Sequence, residues 1–292
     1  MKKNFLTILL RIRNENLFLE SFIKHYFAEG VDEIYILDDN STQPFPKIVE
    51  DERVFIYEAT TFKSHHEKLY DSQMLYNHLL RDKTEWFMFV DADEFITTRR
   101  NPNKTIREEL ETTFKDADLI KIPWIMFGSN GQDKNPKQVL TDTIWRWNHD
   151  KKHPHPKEAM KIWKHRCCKY DKIEVKSIFK TEAFAKLTTH CPSDPTRKIN
   201  IVDGVYNIQN YMNEPETEIW YHNLREESID RAYLACNHYR NISKEQMRQK
   251  ADDSHLPLYR VENCYELQLA SDFSEKKDEF IKNKAIRRGY YE

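Results

Sequence analysis

One stretch of this chain constrains the fold more than any other. It is a run of five apolar residues, Trp86 to Val90, followed at once by Asp91, Asp93 and Glu94. Such a run, bounded by charge, predicts a strand that is buried on both faces of a parallel sheet. In open parallel sheets, ligands bind at the carboxyl ends of the strands, so we expect these acidic side chains to face a crevice.

The two aspartates are a candidate metal site. Asp91 and Asp93 would repel each other in a low-dielectric cleft unless a proton or a cation lies between them, and a hard divalent cation is the usual solution. The alternative is a solvated strand end, because Asp and Glu are common after strands. Phe95 and Ile96 favour the metal site, since a purely solvated turn has no need to return to the core so soon.

The composition indicates a globular protein with a substantial core. A chain of 292 residues can hold one large α/β domain, or a domain with a sizeable extension. The formal charge is 46 − 48 = −2, which gives no electrostatic reason to expect nucleic acid or an anionic membrane as a partner. The 5 cysteines form no C-x-x-C pair, so free thiols in a reducing compartment are expected and a structural zinc site is not.

The amino-terminal apolar segment predicts a strand. Residues 5–10 are apolar apart from Thr7, but Arg11 and Arg13 interrupt the run before it reaches the length of a signal-peptide core. Nowhere does the chain reach the ~18 consecutive apolar residues that a membrane helix needs. We therefore expect a first strand over residues 5–12 and a cytoplasmic protein, at most peripheral to a membrane.

The first 41 residues predict a β-α-β unit. A helix should begin at Asn14-Glu15-Asn16, which supply N-cap chemistry, and end at Gly30; a second strand over 34–37 leads into Asp38 and Asp39. The glycine-rich dinucleotide fingerprint is absent, so side chains would have to hold a nucleotide. Arg11, Arg13, Asp38 and Asp39 are placed for that, although an ordinary turn also explains residues 38–41.

Further elements follow from hydrophobic periodicity. We expect a strand at 53–59, a helix at 67–81, a helix at 105–114, a strand at 119–127, two short strands within 173–190 and a last third, including 232–250, of helical character. Pro123 predicts an edge strand or a bulge. The loop from Gly128 to Asp133 carries two glycines and is expected to lie close to substrate. Trp145-Arg146-Trp147 predicts either a sugar-stacking platform or packed core tryptophans.

Short motifs in a fixed order resemble the GT-A glycosyltransferases of the family 2-like and family 92-like group. They are Arg13-Asn14-Glu15, Gly30-Val31-Asp32-Glu33, Asp38-Asp39-Asn40-Ser41, Phe89 to Phe95, Trp124 with Phe127 to Gly131, Lys176-Ser177-Ile178, and His238-Tyr239 with Ser243 and Lys250. The resemblance implies a Rossmann-like, mostly parallel central sheet flanked by helices. It places a catalytic domain at 1–210 and a helical extension, packed on the same unit, at 211–292.

The resemblance also implies a function. It is inverting transfer of a sugar from a nucleoside-diphosphate donor, UDP- or GDP-linked, to a glycan or other hydroxyl acceptor, with Mn²⁺ or Mg²⁺ as cofactor. The implied donor-binding residues are Arg11, Arg13, Glu15, Asp38, Asp39, Asp91, Lys176, Ser243 and Lys250. The implied metal ligands are Asp91 and Asp93, with His190 or His238 completing the set.

The catalytic base and two rival functions stay open at this point. Gln132 stands where the group carries histidine, so Asp133 is the first candidate for the base and Asp142 the second, with His155 as a further alternative. One rival function is a sugar-1-phosphate nucleotidyltransferase, against which the lack of glycine in residues 5–16 argues. The other is an inactive carbohydrate-binding protein of the same fold, against which the intact acidic residues argue.

Overall fold

The polypeptide forms a mixed α/β structure, seen in a computed structural model that describes residues 4–60, 65–151, 172–209, 220–222, 224–253 and 264–291. The strands are β1 (Asn4–Ile12), β2 (Glu33–Asp38), β3 (Val54–Glu58), β4 (Thr84–Phe89), β5 (Glu94–Thr98), β6 (Leu119–Met126), β7 (Trp145–Arg146), β8 (Lys172–Lys180), β9 (Phe184–Lys186), β10 (Ser193–Pro195), β11 (Ile201–Asp203), β12 (Ile208–Gln209), β13 (Trp220–His222), β14 (Leu234–His238) and β15 (Lys276–Lys277). The α-helices are α1 (Asn16–Ala28), α2 (His65–Leu75), α3 (Ile106–Glu111), α4 (Val139–Asp142), α5 (Glu226–Arg231), α6 (Lys244–Asp253), α7 (Cys264–Leu269) and α8 (Phe280–Arg287). Short 3₁₀ turns cover Lys47–Glu50 and Thr181–Ala183, and a π-helical turn, Tyr76–Leu80, continues α2.

The central sheet has the strand order β12-β11-β6-β8-β4-β1-β2-β3. Strands β3, β2, β1 and β4 are parallel, and β6 is parallel to β11 and β14. Strand β8 runs antiparallel between β4 and β6. The predicted α/β class, a central sheet with flanking helices and further helices toward the C-terminus, is confirmed.

Strand β4 is buried on both faces, as its sequence predicts. Trp86 and Met88 belong to one hydrophobic cluster, which also contains residues of α1, while Phe87 and Phe89 belong to a second cluster beside Tyr76. Neighbouring side chains in a strand point to opposite faces, so a run without polar residues requires a protein layer on each side. The charged residues that follow β4 therefore come directly out of the core.

The β-α-β unit forms where the sequence places it, but its helix is capped differently. Gly30 adopts φ +91° just after α1 and ends the helix, as predicted. The prediction of side-chain capping at the start is wrong: Glu15 is the N-cap residue, and its side chain makes no capping hydrogen bond. Asn14 instead accepts the backbone N–H of Thr42 through Oδ1 (2.8 Å), so it ties together the loops after β1 and β2.

Pro123 lies in a strand with neighbours on both sides, so the prediction of an edge or a bulge is wrong. It pairs in register with Val175 of β8 on one side. On the other side, β11 pairs with β6 as far as Lys121 and β14 pairs from Trp124 onward. Proline has no amide hydrogen to donate, and position 123 lies between the end of one neighbouring strand and the beginning of the next.

Two further secondary-structure predictions need correction. Residues 172–180 form one continuous strand through Lys176 and Ser177, followed by only the short β9, whereas two short strands around that pair were expected. Within residues 232–250, the part from Leu234 to His238 is a strand, β14, which pairs antiparallel with β5 and parallel with β6. The remainder, from Lys244, is helical as predicted.

The C-terminal helix α8 is attached to the core by a buried ion pair. Lys284 Nζ lies 2.5 Å from Glu29 Oε1 at the end of α1, and both side chains are buried. Lys284 also donates to the hydroxyls of Thr97 and Thr98 in β5. The boundary predicted between residues 210 and 211 stays a prediction, although β14 and α8 both pack into the part before it. None of the helices in the described ranges combines the length and the apolar character needed to cross a membrane.

Candidate active site

Three parallel strands bring their carboxyl ends to one edge of the sheet. Ile12 of β1 lies opposite Asp38 of β2, and Leu9 of β1 lies opposite Phe89 of β4. Two backbone hydrogen bonds continue these ladders, from the amide of Asp39 to the carbonyl of Ile12 (2.8 Å) and from that of Val90 to Leu9 (3.2 Å). The polar residues that follow each strand therefore meet at this edge.

Residues after β1 and β2 form the first part of the site. The guanidinium of Arg11 lies 3.0 Å from Oδ2 of Asp39, and Arg13 donates to the carbonyl oxygen of Asp39 (3.2 Å). Asp38 accepts the amide of Ser41 through Oδ1 (3.0 Å), which is the turn geometry expected of an aspartate. The structure thus brings Arg11, Arg13 and Asp39 together, while Asp38 also stabilises the turn.

The turn between β4 and β5 forms the second part and carries the acidic residues. The amide of Glu94 donates to the carbonyl of Asp91 (3.1 Å), and the Glu94 carboxylate accepts the amide of Asp91 (2.7 Å). The carbonyl of Asp93 accepts the amide of Tyr239 at the end of β14 (2.8 Å). The backbone is therefore held at both aspartates, with the Asp93 carboxylate nearly buried and that of Asp91 half-exposed.

Two lysines from distant parts of the chain contact these carboxylates. Lys176 of β8 places Nζ 3.0 Å from Asp91 and 3.2 Å from Glu94, and it donates to the carbonyl of Thr189 (3.1 Å). Lys250 of α6 places Nζ 2.7 Å from Oδ2 of Asp93. Both lysines were implied by the resemblance to meet a diphosphate, and the structure brings both to the acidic turn.

The charges in this cluster shift one another's protonation. Burial acts to raise the pKa of Asp93, but Lys250 and His238 outweigh it and hold that pKa well below its usual range. Burial also acts to raise the pKa of Asp91, which Lys176 brings below its usual value. Burial raises the pKa of Glu94 well above its usual range, because Lys176 only partly offsets the desolvation. Asp91 and Asp93 are thus ionised, as a site for cations or their complexes requires.

Glu15, the residue before α1, belongs to the same cluster. Burial, with Asp93 and Asp91 adding to it and Lys250 opposing it, raises the pKa of Glu15 to about 7. Because Glu15 makes no capping bond, its carboxylate is available to the site rather than to the helix. The implied role of Glu15 in holding the donor stays a prediction, but its location beside the aspartates is consistent with it.

Both candidate histidines lie beside the acidic turn, with Trp124 between them. Nε2 of His238 is 3.5 Å from Oδ1 of Asp93, and Nδ1 of His190 donates to the carbonyl of Val175 (2.9 Å). The ring of Trp124 lies 4.2 Å from that of His238 and 5.5 Å from that of His190. Burial lowers the pKa of His238, so its imidazole is neutral at pH 7, the form that binds metals.

Three other predicted site residues make contacts away from the acidic turn. Ser243 is buried at the start of α6, where its hydroxyl donates to Asn135 (2.5 Å) and accepts the amide of Gln246 (2.9 Å). Asp133 is 77% exposed and lies 2.7 Å from Lys244. Asp142 is exposed and accepts the amide of Gln138 (3.1 Å). His155 lies outside the described residues.

The segment Trp145-Arg146-Trp147 is largely packed inside the protein. Trp147 is buried against Phe273, with ring centroids 5.2 Å apart. Arg146 is fully buried and forms ion pairs with Glu226 and Asp278, each 2.7 Å away. Of the two predicted alternatives, Trp147 and Arg146 fit the second, because both are packed in the core.

The loop predicted to lie near substrate is held by the C-terminal part of the chain. The hydroxyl and the amide of Ser129 both donate to the carboxylate of Asp272, and the amide of Asn130 donates to Ser274 (2.8 Å). A Cβ atom at Gly128 would lie 2.6 Å from the carbonyl oxygen of Phe273, so only glycine fits this close approach. The loop from Gly128 to Asp133 is therefore positioned by residues that follow it by about 140 positions.

Two residues that the structure places in the site, Glu94 and Trp124, have no role predicted from the sequence. Glu94 holds both Lys176 and the amide of Asp91, and Trp124 separates the two histidines. A signal for Glu94 was present, since a charged residue that begins a fully buried strand needs a buried partner. Trp124 is one of the motif residues of the resemblance, but its chemistry alone predicts no role, because tryptophan in an apolar strand is ordinary core composition.

Comparison with known proteins gives a family and several distant structural similarities. The family model described as glycosyltransferase family 92 matches residues 14–260. No curated protein sequence is significantly similar to the chain. Among solved structures, a mannosyltransferase from Pyrobaculum calidifontis in complex with GDP-Man and Mn²⁺ is 16% identical with a TM-score of 0.29, over 42% of this chain and 36% of that one.

Two further solved structures are similar at the same level. Glucosyl-3-phosphoglycerate synthase from Mycobacterium tuberculosis, in complex with phosphoglyceric acid, is 14% identical with a TM-score of 0.34, over 63% of this chain and 59% of that one. Mannosyl-3-phosphoglycerate synthase from Rubrobacter xylanophilus is 11% identical with a TM-score of 0.31, over 42% of this chain and 41% of that one. This chain thus spans between about a third and three fifths of these proteins. Since the family model covers most of its 292 residues, the chain belongs to glycosyltransferase family 92.

Proposed function

We propose that this glycosyltransferase is a metal-dependent, inverting enzyme that moves a sugar from a UDP- or GDP-linked donor to a hydroxyl group of a glycan or related acceptor. The observation that carries the proposal is the acidic turn at the end of β4. There Asp91 and Asp93 are ionised, each is in contact with a lysine, and Arg11 and Asp39 lie at the end of the adjacent strands. Such a set suits a ligand that joins a nucleoside to a diphosphate.

A divalent cation fits the charge balance of the acidic turn. Among the residues that the structure describes, four carboxylates belong to it, against two ammonium groups: Glu15, Asp91, Asp93 and Glu94 against Lys176 and Lys250. Burial is the main cause of the raised pKa values of Glu15 and Glu94, and this excess of negative charge adds to it through Asp91 and Asp93. A bound divalent cation relieves the same excess without requiring protonation.

Asp93 and His238 are the side chains that we propose as metal ligands. Their Oδ1 and Nε2 atoms are 3.5 Å apart, and His238 is in its neutral form. In the part of the chain that the structure describes, no group of three or more His, Cys, Asp or Glu side chains is arranged to hold a metal alone. The pair of Asp93 and His238 suits an ion bound jointly with a diphosphate, because such ions take one or two protein carboxylates and complete their shell with phosphate and water oxygens.

Buried polar atoms beside these ligands also support a ligand site. Within the described ranges, the indole N–H of Trp124 and Nδ1 of His238 are buried and have no hydrogen-bond partner. Unsatisfied buried polar groups are uncommon in native proteins and are found where a ligand completes the site. We propose that the bound donor covers this part of the site.

The protein's own groups have separable tasks in the proposed reaction. Arg11, Arg13 and Asp39 hold the nucleoside, while Lys176 and Lys250 bind the diphosphate and stabilise the negative charge that develops on it as the leaving group. When bound, the metal ion adds Lewis-acid stabilisation of that leaving group. Ser243 contributes indirectly, because it caps the helix that carries Lys250.

An inverting reaction also needs a base opposite the leaving group. Asp133 stays our first candidate, because it ends the loop that Asp272 holds in place, and Asp142 is the second. Lys244 lowers the pKa of Asp133, so Asp133 is ionised at neutral pH as a proton acceptor must be.

A donor screen tests the proposal against its two rivals. UDP- and GDP-sugars are incubated with the protein and Mn²⁺, and release of the nucleoside diphosphate is measured with and without EDTA. Metal-dependent release of UDP or GDP, with an inverted anomeric centre in the product, is the expected result. Formation of a nucleotide sugar from a sugar 1-phosphate and a nucleoside triphosphate would instead establish a nucleotidyltransferase. Binding without any turnover would establish an inactive binding protein.

A further inference from the structure

The two lysines of the acidic turn differ in exposure and in the element that carries them. Lys176 is 1% exposed, lies on a strand in the middle of the sheet, and contacts Asp91, Glu94 and the carbonyl of Thr189. Lys250 is 20% exposed, lies near the end of α6, and reaches Asp93 through its flexible four-carbon chain. Lys176 is therefore enclosed within the sheet, whereas the side chain of Lys250 is the more accessible of the two.

A metal ion bound to Asp93 would be close to the positive charge of Lys250. The ammonium is 2.7 Å from Oδ2 of Asp93, while Oδ1 of the same carboxylate faces His238. Without nucleotide, a divalent ion at Asp93 would lie close to this ammonium, and two cations near one carboxylate repel each other. The nearly buried position of Asp93 makes that repulsion stronger than it would be at the surface.

From this geometry we infer that Lys250 is an exchangeable counter-ion: in the nucleotide-free protein it neutralises Asp93 in competition with the metal, and it transfers to the donor diphosphate when the metal binds. The inference rests on the proposed function and adds a mechanism for binding order. The diphosphate offers Lys250 a new anionic partner, so Asp93 becomes available to the metal at the same moment. Metal and nucleotide should therefore bind cooperatively, and Lys250 should be the source of much of that coupling.

Replacing Lys250 by methionine separates its two effects. Lys250→Met keeps a long apolar stem but removes the ammonium, so Mn²⁺ should bind the nucleotide-free variant about tenfold more tightly than it binds the wild type. The same variant should bind UDP or GDP more weakly in the presence of Mn²⁺, because one cation that contacts the diphosphate is gone. A role limited to packing or to a static salt bridge predicts no gain in metal affinity.

Lys244→Met is a matched control on the same helix. Lys244 also forms an ion pair with an aspartate at 2.7 Å, but that aspartate, Asp133, is exposed, and Lys244 precedes Lys250 on α6 by six residues. The control removes one positive charge from the same element, so it reports how far the net charge alone changes metal affinity. We expect its Mn²⁺ affinity to stay within about twofold of wild type, because exposed charges are screened.

The experiment is a titration of Mn²⁺ followed by electron paramagnetic resonance of the free ion, with no nucleotide, with UDP and with GDP. We expect the better of the two nucleotides to tighten Mn²⁺ binding tenfold or more in the wild type and less than about threefold in Lys250→Met. Unchanged or weaker Mn²⁺ binding by a folded, nucleotide-free Lys250→Met would overturn the inference while leaving the proposed function intact. A wild-type protein whose UDP and GDP binding ignores Mn²⁺ would instead overturn the metal dependence in the proposed function. Lys250→Gln, which is also uncharged, repeats the test if the methionine variant does not fold.

Discussion

The guanidinium of Arg11 lies 3.0 Å from the carboxylate of Asp39, and this ion pair joins the carboxyl ends of β1 and β2. Both side chains are largely buried, so each needs the other for charge balance. In the proposed function, the pair also orients Asp39 toward the nucleoside. Because Asp39 has both roles, its substitution should change the stability of the protein as well as its nucleotide affinity.

Asp39→Asn removes the charge and keeps the shape of the side chain. We expect UDP or GDP to bind about tenfold more weakly or worse, since a hydrogen bond to a charged group contributes ~1.5–3 kcal/mol. A lower melting temperature is also expected, because Arg11 loses its counter-charge. Calorimetric titration at saturating Mn²⁺ measures the first effect. Asp51→Asn, which removes a carboxylate paired with Arg53 before β3, is the control. Nucleotide affinity that stays at the wild-type value in Asp39→Asn would exclude Asp39 from the nucleotide site.

Glu15 predicts a pH dependence of stability. Its pKa in the folded protein is raised to about 7, so the folded state binds this proton more tightly than the unfolded state does. Stability from this group is therefore fully present below about pH 4.5 and is lost as the pH rises through 7. The side chain in Glu15→Gln is uncharged at every pH, so the variant does not lose this stability as the pH rises. Its melting temperature should exceed that of the wild type at pH 8, by ~2–4 °C for each 1 kcal/mol of stability that the wild type loses, and by less at pH 5. If the difference in melting temperature between Glu15→Gln and the wild type is the same at both pH values, Glu15 has an ordinary pKa.

The buried pair between Lys284 and Glu29 predicts a large loss of stability. Glu29→Ala leaves the Lys284 ammonium buried without its carboxylate, which costs ~3–5 kcal/mol. Glu20→Ala on the same helix removes the exposed partner of Lys24 and should cost less than ~1 kcal/mol. Chemical denaturation of the two variants gives the comparison. Equal losses would mean that the pair at α8 contributes no more than a surface ion pair.

The base assignment predicts a selective loss of transfer. Asp133→Asn should reduce transfer to an acceptor by ~10² or more while donor binding survives, since that is the usual size of a general-base contribution. Steady-state transfer and calorimetric donor binding measure the two quantities separately. Transfer at a near-normal rate would move the assignment to Asp142, for which Asp142→Asn is the corresponding variant.

The parts of the fold that could be predicted from the sequence are those with strong local signals. Strand β4 is one, because Trp86 to Phe89 has no polar residue and can only be buried on both faces. Helix α1 and its end at Gly30 are another. The acidic turn follows from β4 itself, since the residues after a buried parallel strand must lie at the sheet edge.

The remaining parts depend on pairings between distant residues. The segment Leu234–His238 is a strand because β5 and β6 lie on either side of it, and its mixed sequence has no strand signal of its own. The contact between Lys250 and Asp93 spans 157 positions, so no spacing rule could identify it. Pro123 shows the reverse case. It does lie at an unpaired position, as the local rule requires, but that position is inside the sheet, because two neighbouring strands change over beside it.

The central claim is that Asp93 binds a divalent cation jointly with the donor diphosphate. The most direct measurement is calorimetric titration of UDP and GDP into the wild type and into Asp93→Asn, with Mn²⁺ and with EDTA. Asp252→Asn, an exposed position on α6, is the control for the loss of one carboxylate. We predict nucleotide binding that requires Mn²⁺ in the wild type and in Asp252→Asn and is lost in Asp93→Asn, whose fold remains intact. Nucleotide binding that is equally tight with EDTA, or that survives unchanged in Asp93→Asn, would contradict the claim and reduce the acidic turn to a solvated strand end.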